Sequence, residues 1–246
     1  MTRHDFLAGL HALLQPRTYL EIGVNDGRSL TLSRATSIGV DPAFAVRSEL
    51  HCDLHLARQT SDDFFAQDDP LAHFGGLPID LAFIDGMHLA EFAYRDFLNV
   101  ERLAGNCGVV VLDDMLPRNV DEAARDRHTG DWAGDVFKMI GILRERRPDL
   151  VVLPVNTAPT GVLLITALDP SSTVLRDSYE ELLPQLESAD PQDVPEEIRL
   201  RSASVSAKSV LASTAWKRLV ELRQADADRQ SVARAVAGLR RLKRLG

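Results

Sequence analysis

The sequence predicts a doubly wound α/β fold built on a mostly parallel sheet. Three observations predict it. Short apolar, β-branched runs bounded by turn residues recur along the chain, segments of helical spacing lie between most of them, and acids gather where several of the runs end. Strands that alternate with helices are parallel and joined by right-handed crossovers, and such sheets bind ligands at their carboxyl edge.

The expected strands are 17–22, 37–40, 53–57, 79–84, 108–112, 150–155 and 162–167, seven in all. The clearest helices between them are 64–73, 90–103 and 135–147, and "RSLTLSR" after the first strand also opens as a helix. The last two strands flank "NTAPTG", a hairpin signal, so the sheet is expected to end with an antiparallel edge strand. Beyond residue 170 the composition shifts to Pro, Ser and acids, which predicts a linker or flap over 171–205. Residues 207–222 and 226–245 then read as two helices with an apolar stripe that includes Trp216. The expected organisation is a main domain (1–170), the linker (171–205) and a C-terminal helical extension (206–246). Its stripe must pack on the sheet domain or on a second subunit, which leaves a homo-oligomer open.

With 45% hydrophobic and 26% charged residues in 246, the chain is composed like a globular protein. No apolar run approaches the about 20 residues of a membrane span. The start, "MTRHDFLAGLHALLQP", lacks the pattern of a secretory signal, and the reading is cytoplasmic. Cys52 and Cys107 are too few for a disulfide framework and lack the close pairing of a zinc site, so reduced thiols are expected. The net charge of −8 is uneven: residues 201–246 hold 11 Lys and Arg against 3 Asp and Glu, and the remainder 17 against 33. A basic tail fits against its own acidic body, and that body disfavours nucleic acid as a partner.

The segment "YLEIGVNDGRSL" joins a buried strand to a turn at Gly23 and Gly27. Glycine permits backbone angles other residues resist and a close approach of ligand to main chain. The spacing is GxxxG rather than the dinucleotide GxGxxG, and Glu21 stands two residues ahead, where it would repel a phosphate. An acid there suits a positively charged ligand such as the amino group and sulfonium of S-adenosylmethionine. Asp41 in "IGVDP" ends the second strand, where a carboxylate reaches ribose hydroxyls. "FIDGMH" and "VVLDDM" place Asp85, Asp113 and Asp114 at the ends of the fourth and fifth strands. Adjacent strands would bring these three acids together. Unpaired acids raise one another's pKa, so a cation or protons must sit among them, and hard oxygen donors suit Mg²⁺.

Together, "LEIGVNDGRSL", "IGVDP", "IDLAFIDGMH" and "GVVVLDDM" resemble the class I S-adenosylmethionine-dependent methyltransferases, with their Rossmann-like sheet, over roughly residues 17 to 168. The acids at the fourth and fifth strand ends resemble the metal-dependent O-methyltransferases of catechol and macrolide-sugar type. The resemblance implies a cofactor site of Glu21, Gly23, Asn25, Gly27, Ser29, Asp41, Thr60 and Ser61, and a metal held by Asp85, Asp113 and Asp114. It also implies His88 as general base beside Asp85, since an imidazole accepts a proton near neutral pH. The expected function is a Mg²⁺-assisted O-methyltransferase acting on a small hydroxylated molecule, a sugar or natural-product intermediate. Two alternatives stand beside it: a metal-independent methyltransferase, and a non-catalytic module of the same fold. The long segment 115–139, with Arg118, Arg125, Arg127, His128 and Trp132, is expected as a lid or specificity element at the ligand edge.

Overall fold

The computed structural model describes residues 1–245. Helix α1 (Arg3–Leu14) starts on a capping box, in which Thr2 Oγ1 accepts the Asp5 N–H and the Asp5 carboxylate accepts the Thr2 N–H. There follow β1 (Thr18–Ile22), β2 (Thr36–Val40), β3 (Leu54–Ala57), α2 (Ser61–Phe65), β4 (Ile79–Ile84), α3 (Ala90–Leu103), β5 (Ala104–Leu112), α4 (Lys138–Arg146), β6 (Val151–Asn156) and β7 (Val162–Thr166). Short helices α5 (Val174–Asp177), α6 (Tyr179–Leu186) and α7 (Glu196–Arg199) lead to β8 (Val205–Ser206). The chain then continues as α8 (Ala207–Leu211), α9 (Ala215–Gln224) and α10 (Arg229–Val236).

The strands form one sheet in the order β3-β2-β1-β4-β5-β7-β6-β8, parallel except for β7, which is antiparallel to both neighbours. All seven expected strands are present, and the two-residue β8 adds an eighth that the sequence did not announce. The expected hairpin is β6–β7. Its antiparallel strand is not at the edge as expected: β7 lies between β5 and β6, with β8 outermost.

Helices cover both faces. One face packs α2 to α7 against residues such as Leu20, Ala82 and Val110; the other packs α1 and α8 to α10 against Tyr19, Leu81 and Val109. Alternate residues of each strand thus feed opposite cores, which is why the strands read as continuous apolar runs.

Four helical expectations are corrected. "RSLTLSR" makes only a 3₁₀ turn at Leu30–Leu32. Its hydroxyls compete with the helix: Ser33 Oγ accepts the Ala35 N–H and pairs with Ser37 Oγ at 2.9 Å. The helix expected at 64–73 stops at Phe65, ahead of Pro70, which disfavours helical angles in the residue before it. The predicted linker 171–205 is folded, with Leu175, Leu182, Leu186 and Ile198 buried in the core. The two tail helices break into three, where Ser213 Oγ takes the Ala215 N–H and Asp228 caps α10.

The tail's stripe is buried on this chain's own sheet, with Trp216 fully enclosed. Its charges are used there too: Arg223 donates to the carbonyls of Leu14 and Gln15 at 2.8 Å and stands 3.5 Å from Asp80, while Arg229 pairs with Asp149. Gly9 lets α1 approach α8 closely, since a Cβ there would lie 2.7 Å from Leu211 Cδ1. Among the described residues no helix is long and apolar enough to cross a membrane.

Candidate active site

Strands β1, β4 and β5 end side by side, and backbone hydrogen bonds hold their exits in register. The Gly23 N–H donates to Val40 O (2.9 Å), the Asp85 N–H to Ile22 O (2.8 Å) and the Asp113 N–H to Ile84 O (3.0 Å). Gly23 has φ +87°, and a Cβ on it would fall 1.9 Å from the Asp85 carbonyl oxygen. Only glycine lets the first loop lie flat on the acid-bearing loop.

A cavity of about 920 Å³ runs along this edge. Toward the β2 and β3 exits it is bordered by Gly23, Asn25, Asp41, Thr60 and Ser61, and toward the β4 and β5 exits by Asp85, His88 and Asp114. Asp41 is held by two backbone donors, Asn25 N–H at 2.8 Å and Ala43 N–H at 2.6 Å, which fix both carboxylate oxygens at the cavity wall. Thr60 caps α2 and Ser61 opens it.

Four of the predicted site residues stand away from this cavity. Glu21 is buried inside β1, 1% exposed, and accepts a hydrogen bond from the Tyr19 hydroxyl at 2.6 Å. Burial pushes its carboxyl up to about 8, so it is a neutral core group rather than an acid facing a ligand. Gly27, at φ +79°, makes room for Val46, and Ser29 is buried beside His4; both shape the turn. Asp113 is turned to Arg3, whose guanidinium pairs with it and stands 3.6 Å from Asp85.

The metal-capable group is therefore Asp85, His88 and Asp114, whose ligand atoms lie within 4.8 Å of one another, in place of the expected three acids. His88 bridges the pair, with Nε2 at 3.1 Å from Asp85 Oδ1 and Nδ1 at 3.1 Å from Asp114 Oδ2. Nδ1 is also 3.2 Å from the Trp132 carbonyl oxygen, so both ring nitrogens face acceptors and this geometry suits the doubly protonated ring; Nε2 is the nitrogen that becomes basic when the ring is neutral with its hydrogen on Nδ1. Burial lowers the His88 pKa, but the Asp85 hydrogen bond and the charges of Asp114 and Asp85 outweigh it, and the net shift is upward. Burial and the surrounding carboxylates hold Asp113 well above the ordinary range, and burial likewise raises Asp114. His88 (φ +56°) and Asp114 (φ +61°) both sit in the left-handed region, local strain of the kind that gathers at functional sites.

Segment 115–139 reaches the cavity as a lid would. Trp132 stacks on His88, ring centroids 4.9 Å apart and planes within 10°, and its Nε1–H donates to Ala124 O at 2.6 Å. Gly134 lies so close under His88 that a Cβ would come within 1.8 Å of the His88 carbonyl oxygen. Arg118 and Arg125 serve the segment itself through Glu122, Asp131, Glu91 and Asp135, while Arg127 borders the cavity. His51, His55 and His73 lie outside the cavity lining.

Sequence reasoning missed Arg3 and Thr160. Thr160, in the β6–β7 turn, donates its hydroxyl to Asp114. Arg3 could have been sought from the acids' own need for a cation, but nothing local marks it.

Residues 20–115 match the family model described as a methyltransferase domain, from β1 to the residue after the acid pair beyond β5. The match, over that part of the chain, agrees with the methyltransferase class that the motifs resemble. No curated protein sequence matches the chain. Among solved structures it is similar to the O-methyltransferase TomG from Streptomyces achromogenes, involved in tomaymycin synthesis and in complex with SAM. There the identity is 19%, the coverage 67% of this chain and 78% of that one, and the TM-score 0.48. It is also similar to cofactor-bound Rv0187 from MTB (20% identity, 67% and 78% coverage, TM-score 0.46) and to the O-methyltransferase from Bacillus cereus in complex with SAH (15%, 67% and 80%, 0.45). At TM-scores below 0.5 these likenesses say nothing of the site, whose chemistry stands on the chain's own residues.

Proposed function

We propose that the protein is an S-adenosylmethionine-dependent O-methyltransferase that methylates a hydroxyl of a small molecule, a sugar or natural-product intermediate, with help from a divalent cation. The observation that carries this reading is the single cavity bordered by both Asp41 and the Asp85–His88–Asp114 cluster. It gives a nucleoside and an acceptor hydroxyl one shared space.

Bound in that space, S-adenosylmethionine would supply an electrophilic methyl group. Asp41, fixed by the Asn25 and Ala43 N–H groups, offers its remaining lone pairs to ribose hydroxyls. Gly23 borders the same space, the place of its missing side chain taken by the Asp85 carbonyl. Without a cation, Nε2 of the neutral His88 takes the acceptor proton while Nδ1–H stays on the Trp132 carbonyl; with a cation bound, the same Nε2 would be its ligand and the ion would lower the acceptor's pKa instead. Trp132 covers the imidazole and excludes water from it.

The donor set fits a cation: two carboxylates and an imidazole can converge on one ion. Carboxylates suit Mg²⁺ and Mn²⁺, and a third ligand from imidazole shifts the preference toward Mn²⁺ and softer ions. Asp85, Asp114 and His88 would hold it. A cation there would draw the acceptor oxygen in and lower its pKa. A metal-free variant of the reading rests on Arg3, which already brings positive charge to Asp113 and Asp85. Activity that survives chelation would select it.

Isothermal titration with S-adenosylmethionine tests the cofactor claim. Micromolar binding by the parent and at least tenfold loss in Asp41→Asn are expected; absence of binding by the parent would remove the reading.

A further inference from the structure

At the amino edge of the sheet, opposite the loops that carry Asp85 and Asp113, lies a second cavity of about 250 Å³. It is lined by Arg144, Arg147, Arg240 and Arg244 and, among the described residues, by no acid. Leu150 and Val152, at the start of β6, supply an apolar floor. The strand β8 pairs only with Val155 and Asn156, so the first half of β6 has no strand on its outer side. That stretch of edge is open.

The arginines reach the gap from two sides. Arg144 and Arg147 stand at the end of α4, and Arg240 lies in the 3₁₀ turn Ala237–Arg241. Arg244 follows that turn, and its backbone bridges to Val205. Their charges are unequally spent. Arg147 is fully engaged by Glu101 and Asp149. Arg240 donates to the carbonyl oxygens of Pro148 and Asp149 at 2.9 and 2.5 Å, and Arg244 to Ala203 O at 3.0 Å; among the described residues neither forms an ion pair. Arg144 has one acid, Glu197, 3.9 Å away with its side chain 59% exposed. Burial, and next to it the like charge of Arg244, lowers the Arg144 pKa against the pull of Glu197, so the two guanidiniums feel one another.

Three cations around one hollow, with a single loose acid between them, repel unless an anion joins them. A guanidinium fork matches phosphate oxygens two at a time and gives up its water readily. Three forks offer more donors than the two oxygens of a carboxylate can use, whereas a phosphoryl group has oxygens for each. The space is below the about 300–1,000 Å³ of pockets for larger organic ligands, which favours a compact anion. The acidic remainder of the chain disfavours an extended polyanion such as nucleic acid.

We propose that this cavity is a binding site for a compact phosphoryl anion, held by Arg144, Arg240 and Arg244. It shares no lining residue with the large cavity and stands apart from the methyl-transfer reading. An anion there bridges α4 to the last residues of the tail.

The test is isothermal titration of the full-length protein with pyrophosphate at low ionic strength, beside sedimentation with phosphatidylglycerol vesicles. Saturable binding of one pyrophosphate per chain is expected, weakened at least tenfold by Arg144→Gln and by Arg244→Gln. Arg144, whose only acid is the distant Glu197, can be changed with little risk to the fold. Lys217→Gln removes a charge from the same tail at a side chain 85% exposed, and it should leave the affinity within threefold. Absence of saturable binding by the parent overturns the proposal. So does an affinity unchanged in either arginine variant, or an equal loss in Lys217→Gln, which would mark a diffuse effect of charge. A parent that sediments with the vesicles and does not bind pyrophosphate would make this face a membrane-docking surface instead.

Discussion

The guanidinium of Arg3 closes on the carboxylate of Asp113 across 110 positions of sequence, and a second nitrogen of the same group faces Asp85 at 3.6 Å. The first turn of the chain thus supplies the nearest cation to the acids at the ends of β4 and β5. Asp113 is buried, with its side chain 2% exposed. Removing the partner of such a group leaves an uncompensated charge or forces protonation. Arg3→Ala is expected to cost about 3 kcal/mol, the low end for a broken buried pair because Arg3 itself is partly exposed. Asp113→Asn in the same chain should recover much of that loss. Urea denaturation of the two single variants and the double variant measures the coupling, and strictly additive losses would contradict the pairing.

The same relationship sorts the acids by role. Mn²⁺ titration followed by electron paramagnetic resonance should show binding weakened at least tenfold by Asp85→Asn and by Asp114→Asn. Asp113→Asn, which touches Arg3 rather than the triad, should change the affinity by less than threefold. Equal losses in all three would restore the three-acid site read from the sequence.

Glu21 makes a prediction about pH. Its carboxyl, ordinarily near 4.5, is pushed up to about 8 by burial. The folded chain therefore holds a proton that the unfolded chain releases above pH 4.5. That contribution to stability is full below about 4.5 and fades as pH rises through about 8. Glu21→Gln keeps an acceptor for Tyr19 and has no proton to lose. The variant should melt close to the parent at pH 5 and above it at pH 8, and parallel melting curves across that range would refute the buried neutral acid.

Trp216 tests whether the tail belongs to the fold. It is fully buried on the sheet and donates Nε1–H to Val210 O at 2.8 Å. Trp216→Ala is expected to cost roughly 3–5 kcal/mol, as large-to-small changes in a packed core do. Chemical denaturation with a single transition would place α9 in the same cooperative unit as the sheet. A separate early transition would mark the tail as an appendage.

Much of the scaffold could be read from residue order because it is written in local pattern. The central strands are buried on both faces, so runs such as 108–112 are apolar throughout, and the α3 stripe coincides with its observed bounds. The failures share a cause as well: the hydroxyls of Ser33 and Ser37 decide against a helix after β1, and the packing of Leu175 and Leu186 decides that 171–205 is no linker. Among site residues, Asp41, Asp85 and His88 sit at strand exits, where topology alone places them. Glu21 was misjudged because alternation along β1 sends its side chain inward to Tyr19. Arg3 and Thr160 come to the cavity from elements far apart in sequence, and no spacing could announce them.

The close approach of α1 to α8 at Gly9 has a practical meaning for anyone cutting this molecule apart. The helix that delivers Arg3 is clamped between the sheet and the last forty or so residues. Grafting only the strand-and-loop half onto another scaffold would carry the acids across and leave their guanidinium unanchored. Chemistry at one rim of the sheet is thus underwritten by packing on its far side.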